Sequence, residues 1–341
     1  MTLGRWLGLF AIIASAYILW QIRIIVFLFL TAVVIATALN RLVRRFRQSN
    51  VKRGYAILLS LIVILSFLGV LTALITVRLV DQFNQLLSLI PISLGQLQLW
   101  SNELFSRIPA GMVTELPNLT NFTQQLQAAI NWIVTNIYLL FSNSLLIILN
   151  ALFVFVLTIM LVANPQAYRQ ILVRFFPAFY RQRANEILSK CELKLIHCVA
   201  AIALSIVFVG LTSMIGLLVL QIPFPVVNGI LAGLSAFIPY IGVLVSAILP
   251  VLLALLDEPW KAGAVLLLYF AIQQIEGNFV IPTVMKRRVD LLPATTLALL
   301  TVFGIFFGFL GLLLGLPILV VAKTWLEEVV VHDILDRWKN S

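Results

Sequence analysis

Glu276 is the only acidic residue deep inside any apolar stretch of this 341-residue chain. It stands ten residues before Lys286, about 15 Å along a helix, and so close to mid-membrane if that stretch crosses a bilayer. An ionised carboxylate at that depth costs several kcal/mol unless it is paired, hydrated or protonated. Its neighbours are polar too. Gln273 lies one turn back, Gln274 and Asn278 flank it, Gly277 gives close backbone access, and Pro282 frees a carbonyl one turn back. Glu276, Gln273, Gln274 and Asn278 are therefore expected to line an aqueous cavity and to bind substrate or a coupling ion. A proton is the simplest such ion, because desolvation penalises the charged carboxylate. The competing reading is a hydrogen-bonding group that locks this helix to its neighbours.

Other chemistry is thin. Asn228, Ser235 and Tyr240 could add polar contacts or could serve helix packing. His197 and His332 lie near membrane edges and read as interfacial histidines. Cys191 and Cys198 are seven apart, share a helix face, and are expected to pack; two cysteines make neither a disulfide framework nor a zinc site. The chain has no H-E-x-x-H, no G-x-S-x-G, no pair of intramembrane aspartates and no P-loop. One carboxylate without a second, a nucleophile or a metal set is poor material for hydrolysis. No enzyme activity, cofactor or metal is expected.

The elements that must position Glu276 follow from composition. Apolar residues make up 62% of the chain and charged residues 11%, against about half and a quarter in a soluble domain. A soluble enzyme, a disordered chain and a disulfide-rich secreted module are excluded, and an all-α polytopic membrane protein remains. The net charge of +10 reads as a topology signal rather than a nucleic-acid site, because the basic residues lie in loops beside apolar spans. Trp6–Gln21 and Ile24–Asn40, separated by Arg23, read as a tight hairpin of spans. Arg41, Arg44, Arg45, Arg47, Lys52 and Arg53, with no acid among them, place the loop 41–53 in the cytoplasm. Membrane helices then occupy 1–78, and 79–136 is an extracytoplasmic amphipathic region. A fourth span and a cytoplasmic connector fill 137–194, a transport core fills 195–322, and 323–341 is a cytoplasmic tail. The connector mixes Arg169, Arg174, Arg181 and Arg183 with Tyr168, Phe175, Phe176, Phe179 and Tyr180. It fits an amphipathic segment on anionic lipid or a solvated connector.

Two apolar segments in the core are too long. Val226–Leu256 has 31 residues, about 46 Å as a straight helix against about 30 Å of hydrocarbon. Ile238-Pro239-Tyr240-Ile241-Gly242 interrupts it. Leu291–Ala322 has 32 residues and is broken near Gly308 and Gly311. If both are re-entrant hairpins, Lys286, Arg287 and Arg288 fall in the cytoplasm, as the charge rule wants. If both are full spans, that cluster lies outside. Two span-plus-hairpin units of opposite orientation would make an inverted repeat, a plan used by alternating-access carriers.

The set Phe237-Ile238-Pro239-Tyr240-Ile241-Gly242, Gln273-Gln274-Ile275-Glu276, Ile281-Pro282, Leu292-Pro293, Gly308-Phe309-Leu310-Gly311 and Gly315-Leu316-Pro317 resembles the autoinducer-2 exporter family of bacterial membrane proteins, in order and spacing. The N-terminal half agrees in layout. Val243 stands where the family often has proline, and Met285-Lys286-Arg287 where it often has glycine. The resemblance implies an inner-membrane transporter of about eight hydrophobic segments, homo-oligomeric in the bilayer. Some members release a quorum-sensing furanone precursor, and others resemble sodium or lithium–proton antiporters. A secondary carrier exporting a small solute or cation on a proton or sodium gradient is therefore expected. Glu276 would be its binding carboxylate, and Pro239, Tyr240, Gly242, Pro282, Gly308 and Gly311 its gate or helix breaks. A passive channel and a non-transporting scaffold working through Val80–Thr135 are the alternatives. A scaffold has no need of a mid-membrane acid.

Overall fold

The structure, a computed structural model, describes residues 20–63, 144–239, 241–285 and 293–335, with isolated positions among 10–18 and 66–128. Helix is the only regular secondary structure among the described residues. Four helices are long and apolar enough to cross a membrane, or five if one bent pair is a single span. The outer region Val80–Thr135, the cluster Lys286–Arg288 and Tyr240 fall outside the described residues. The chain divides into two compact units: 1–63, 148–199 and 287–341 in one, 64–147 and 200–286 in the other.

In the first unit, α1 (Arg23–Gln48) is preceded by helical bonds that run through Arg23: Ile22 N–H donates to Ile18 O and Val26 N–H to Ile22 O. The chain therefore does not reverse at Arg23, where the sequence suggested a tight hairpin. The helix also continues through Arg41–Arg47, so most of the expected basic loop is helical. Arginine is a good helix former, and a helix need not stop where its apolar stretch stops. The helix ends at Ser49 and Asn50, the latter left-handed at φ 62°. Next come α2 (Arg53–Val63) and α3 (Ser144–Ala163). Arg53 donates to the Val162 carbonyl at 3.3 Å. The 148–163 stretch meets α4 (Pro165–Arg174) at an 86° bend. Pro165 opens α4: it has no N–H to donate back into α3, and the first turn of a helix needs none.

α5 (Arg181–Val219) is 39 residues long, and its charged first half belongs to the first unit. Its partner there is the end of the chain. α10 (Pro293–Trp325) passes into a π-helical stretch, Leu326–Leu335. Arg183 pairs with Glu328 at 3.0 Å and with Asp333 at 3.1 Å, Lys190 pairs with Glu328 at 2.7 Å, and Lys194 pairs with Glu327 at 3.1 Å. Tyr180 donates to Asp333 at 2.7 Å. The expected cytoplasmic tail from residue 323 is thus the continuation of a core helix, clamped by salt bridges. Cys191 and Cys198 are buried and free.

α10 is two helices joined at Gly308, whose φ 63°, ψ −146° only glycine adopts without strain. The chain folds back there. A Cβ on Gly315 would lie 2.6 Å from the Leu300 side chain, and one on Gly311 would lie 2.2 Å from the Phe303 carbonyl. In a straight helix Leu300 and Gly315 would be about 22 Å apart. The second long segment is therefore a hairpin. Its arms are unequal: Ala294–Gly308 is too short to cross, whereas Leu310–Leu335 is long enough. Phe307 packs on Phe27 of α1 at 4.6 Å.

The second unit holds the rest of α5, α6 (Pro225–Ser235), α7 (Ile241–Asp257), α8 (Pro259–Ile275), a π-helical turn Glu276–Val280 and α9 (Ile281–Met285). α6 and α7 pack on each other and α7 on α8. Asn228 fixes the start of α6 by donating to the Pro223 and Phe224 carbonyls. α5 and α6 approach at backbone distance. A Cβ on Gly229 would meet the Met214 Cβ at 2.7 Å and Gly210 O at 2.8 Å, and one on Gly233 would meet Ile206 O at 2.7 Å. Small residues provide this closeness where lipid supplies no hydrophobic drive between helices.

The order of contacts settles the shape of the first long segment. Ser205 faces Glu276, Ser213 faces Tyr269 and Gly216 faces Leu268. α8 therefore runs antiparallel to α5. Had α6 and α7 made one crossing, α8 would run parallel to α5. The segment turns back on itself, as the expected hairpin does.

Candidate functional site

α8 buries one stripe: Ala262, Val265, Tyr269, Ile272 and then Glu276. The spacings of three, four, three and four put all five on a single face. On the facing side of α5 the buried residues Ser205, Val209, Ser213 and Leu217 recur every four. The two faces enclose a polar seam in an apolar bundle.

Glu276 is 1% exposed. The Ser205 hydroxyl faces its carboxylate, and Oε2 has no hydrogen-bond partner among the described residues. Gln273 Oε1 is likewise buried and unpartnered. The Tyr269 and Ser213 hydroxyls face each other but lie outside good hydrogen-bonding geometry, and neither has another partner among the described residues. A buried polar atom left unmade costs about 1–3 kcal/mol. Several in one seam make a place that a small polar ligand, water or cation would satisfy.

The local backbone is unusual for a stated reason. The Ile281 N–H donates to Glu276 O, five residues back, so the turn is π-helical. Pro282 has no N–H, and its ring excludes the carbonyl four residues earlier. A widened turn upstream accommodates that loss, and such turns recur at functional sites.

The expected polar cluster divides between two faces. Glu276 lies in the seam, and Gln273 buries its Oε1. Gln274 and Asn278 are exposed and bond to each other at 3.1 Å. Asn228 sits at the start of α6, and its Oδ1 is buried with no hydrogen-bond partner among the described residues. Pro239 and Gly242 are buried at the α6–α7 turn, where a Cβ on residue 242 would strike the Ser235 carbonyl at 1.7 Å. Gly308 and Gly311 form the tip of the other hairpin, in the first unit. Tyr269, Ser205 and Ser213 did not stand out in the sequence. Their only signal is spacing: Tyr269 lies two turns before Glu276, and the serines lie at every second turn of an apolar helix.

A sequence model described as an AI-2E family transporter matches residues 9–331. The chain belongs to the AI-2E transporter family. It is 24% identical over 295 residues to YueF of Bacillus subtilis, covering 84% of this chain and 79% of that one. It is 26% identical over 290 residues to sll0060 of Synechocystis, covering 83% and 82%. With YhhT of Escherichia coli K12 the identity is 25% over 305 residues, covering 87% and 83%. Each of these relatives is named as a candidate transport protein. With its apolar helices of membrane length, this AI-2E chain is a membrane transport protein.

Proposed function

We propose that this AI-2E family protein is a secondary carrier that exports a small solute or cation across the inner membrane, coupled to a proton or sodium gradient. The observation that carries the reading is the Glu276 carboxylate, buried with an unpartnered oxygen in a seam of unpartnered hydroxyl and amide groups. A structural carboxylate would be paired, since an uncompensated buried charge is among the costliest features a fold can keep. One that is not paired must share its charge with a proton or a cation, and the arrival and departure of that ion is the coupling step. Ser205, Tyr269 and Gln273 supply oxygens around the same seam. The hairpin at 236–239, in the same unit as Glu276, is a broken helix of the kind that carriers place near their binding sites. Both termini face the cytoplasm, and the protein works as a homo-oligomer.

The test is flux in proteoliposomes with an imposed pH gradient. A lumenal pH dye follows sodium or lithium pulses, and a labelled furanone precursor of autoinducer-2 is assayed in parallel. Wild type responds to the gradient and Glu276→Gln does not. Gradient-driven flux that survives intact in the mutant removes Glu276 from the mechanism. Flux that follows the solute gradient alone and ignores uncouplers makes the protein a facilitator.

A further inference from the structure

The bend after α3 presents a surface that the transport reading does not use. α4 leaves the 148–163 stretch at 86°, so if that stretch crosses the bilayer, α4 lies along its surface. None of its residues is buried. Residues 164–185 carry four arginines and no acid.

The aromatic residues that follow are sorted between two sides. Phe176 stacks on Trp325 at 5.6 Å, and the Tyr180 hydroxyl donates to Asp333. Their neighbours Phe175 and Phe179 are 82% and 88% exposed, the highest values among the exposed large hydrophobic residues described. The turn is thus anchored on one side and holds two phenylalanines out on the other. The arginines are sorted as well. Arg169 is engaged by Asn185, Ser189 and Glu192, and Arg183 by Glu328 and Asp333. Arg174 and Arg181 are exposed, with Arg181 Nε donating to the Phe176 carbonyl at 3.2 Å. The nearby acids pair with other cations: Glu192 with Arg44 and Arg169, Glu328 with Lys190 and Arg183, and Glu186 and Asp333 with Arg183.

We infer that residues 165–181 form an anionic-phospholipid docking surface on the leaflet where α3 ends. Phe175 and Phe179 enter the acyl boundary, and Arg174 and Arg181 hold anionic headgroups above it. Exposed phenylalanine beside exposed arginine is unfavourable in water and suits the headgroup boundary. Each arginine near an anionic surface is worth about fivefold in local lipid occupancy. This inference does not depend on Glu276 or on coupling.

The native cysteines are buried, so a fluorophore can be placed on a single new cysteine, Phe179→Cys, in the full chain. The protein is reconstituted in phosphatidylcholine vesicles containing phosphatidylglycerol. Bromine is carried near the headgroup end of the acyl chains of one lipid or the other. The fluorophore is expected to be quenched by both brominated lipids, and severalfold more by the anionic one at equal mole fraction. Adding R174Q and R181Q is expected to abolish that preference while quenching persists. Equal quenching by both headgroups with the arginines intact overturns the inference. So does quenching by aqueous iodide alone, and so does quenching by neither, which would mean that another protein chain covers the face.

Discussion

Glu276 and Glu328 are both buried glutamates, 1% and 7% exposed, and they are compensated in opposite ways. Glu328 lies between Lys190 and Arg183, with every partner drawn from residues 138 to 145 positions earlier in the chain. Glu276 has a serine hydroxyl facing it and an Oε2 with no hydrogen-bond partner among the described residues. A carboxylate that staples a fold recruits cations; a carboxylate that handles an ion leaves a lone pair open. Burial alone does not tell the two apart, and the partner inventory does.

Substitutions can break this contrast or sharpen it. The largest effect is expected at the unpaired acid. Glu276→Gln should keep the protein folded, because an amide suits a buried seam better than a stranded charge, and should lower gradient-driven flux on the order of a hundredfold, the scale of a lost proton-transfer group. Detergent melting curves alongside flux check both halves. A mutant that melts early with flux scaled to the surviving protein would make Glu276 structural.

At the hairpin tip, Gly308→Ala forces a side chain onto φ 63°, ψ −146° and should cost about 1–3 kcal/mol, read as a lower melting temperature. Glu328→Ala removes the carboxylate that Lys190 pairs with, while Arg183 keeps Asp333 and Glu186, and should cost about 1 kcal/mol, between the exposed and buried limits for ion pairs. Its signature is salt: the wild type should lose stability as ionic strength rises, and the mutant should lose less. Ser205→Ala is expected to have the smallest effect, a severalfold loss of flux with melting shifted by less than about 1 kcal/mol. A stability loss without a flux loss would assign Ser205 to packing.

Much of this could be read from the residues. That Glu276 is a buried acid could be read from its place in an apolar stretch. The breaks at Pro239–Gly242 and Gly308–Gly311 follow from chain length against bilayer thickness, and the two folded-back segments follow from the same arithmetic. Other features follow from tertiary contacts that no local pattern encodes. The salt bridges of Arg183 and Lys190 join positions some 140 residues apart. Ser205 and Ser213 acquire meaning only when α5 lies against α8. The ends of helices were the least legible, because apolar runs mark where lipid begins and not where the helix stops. α1 runs on through eight further residues of basic loop, and α5 begins fourteen residues before its apolar half. The division of Gln274 and Asn278 from Glu276 was available in principle, since residues 274 and 278 share a face that 273 and 276 do not.

Reaction of the purified, reconstituted protein with a hydrophobic carbodiimide tests the central claim most directly, because that reagent modifies protonated carboxyls in apolar surroundings. Peptide mass spectrometry should find Glu276 modified, with labelling that slows when sodium is present or pH is raised and with flux lost in step. An inert Glu276 at every pH, or full modification with flux unchanged, would contradict the account.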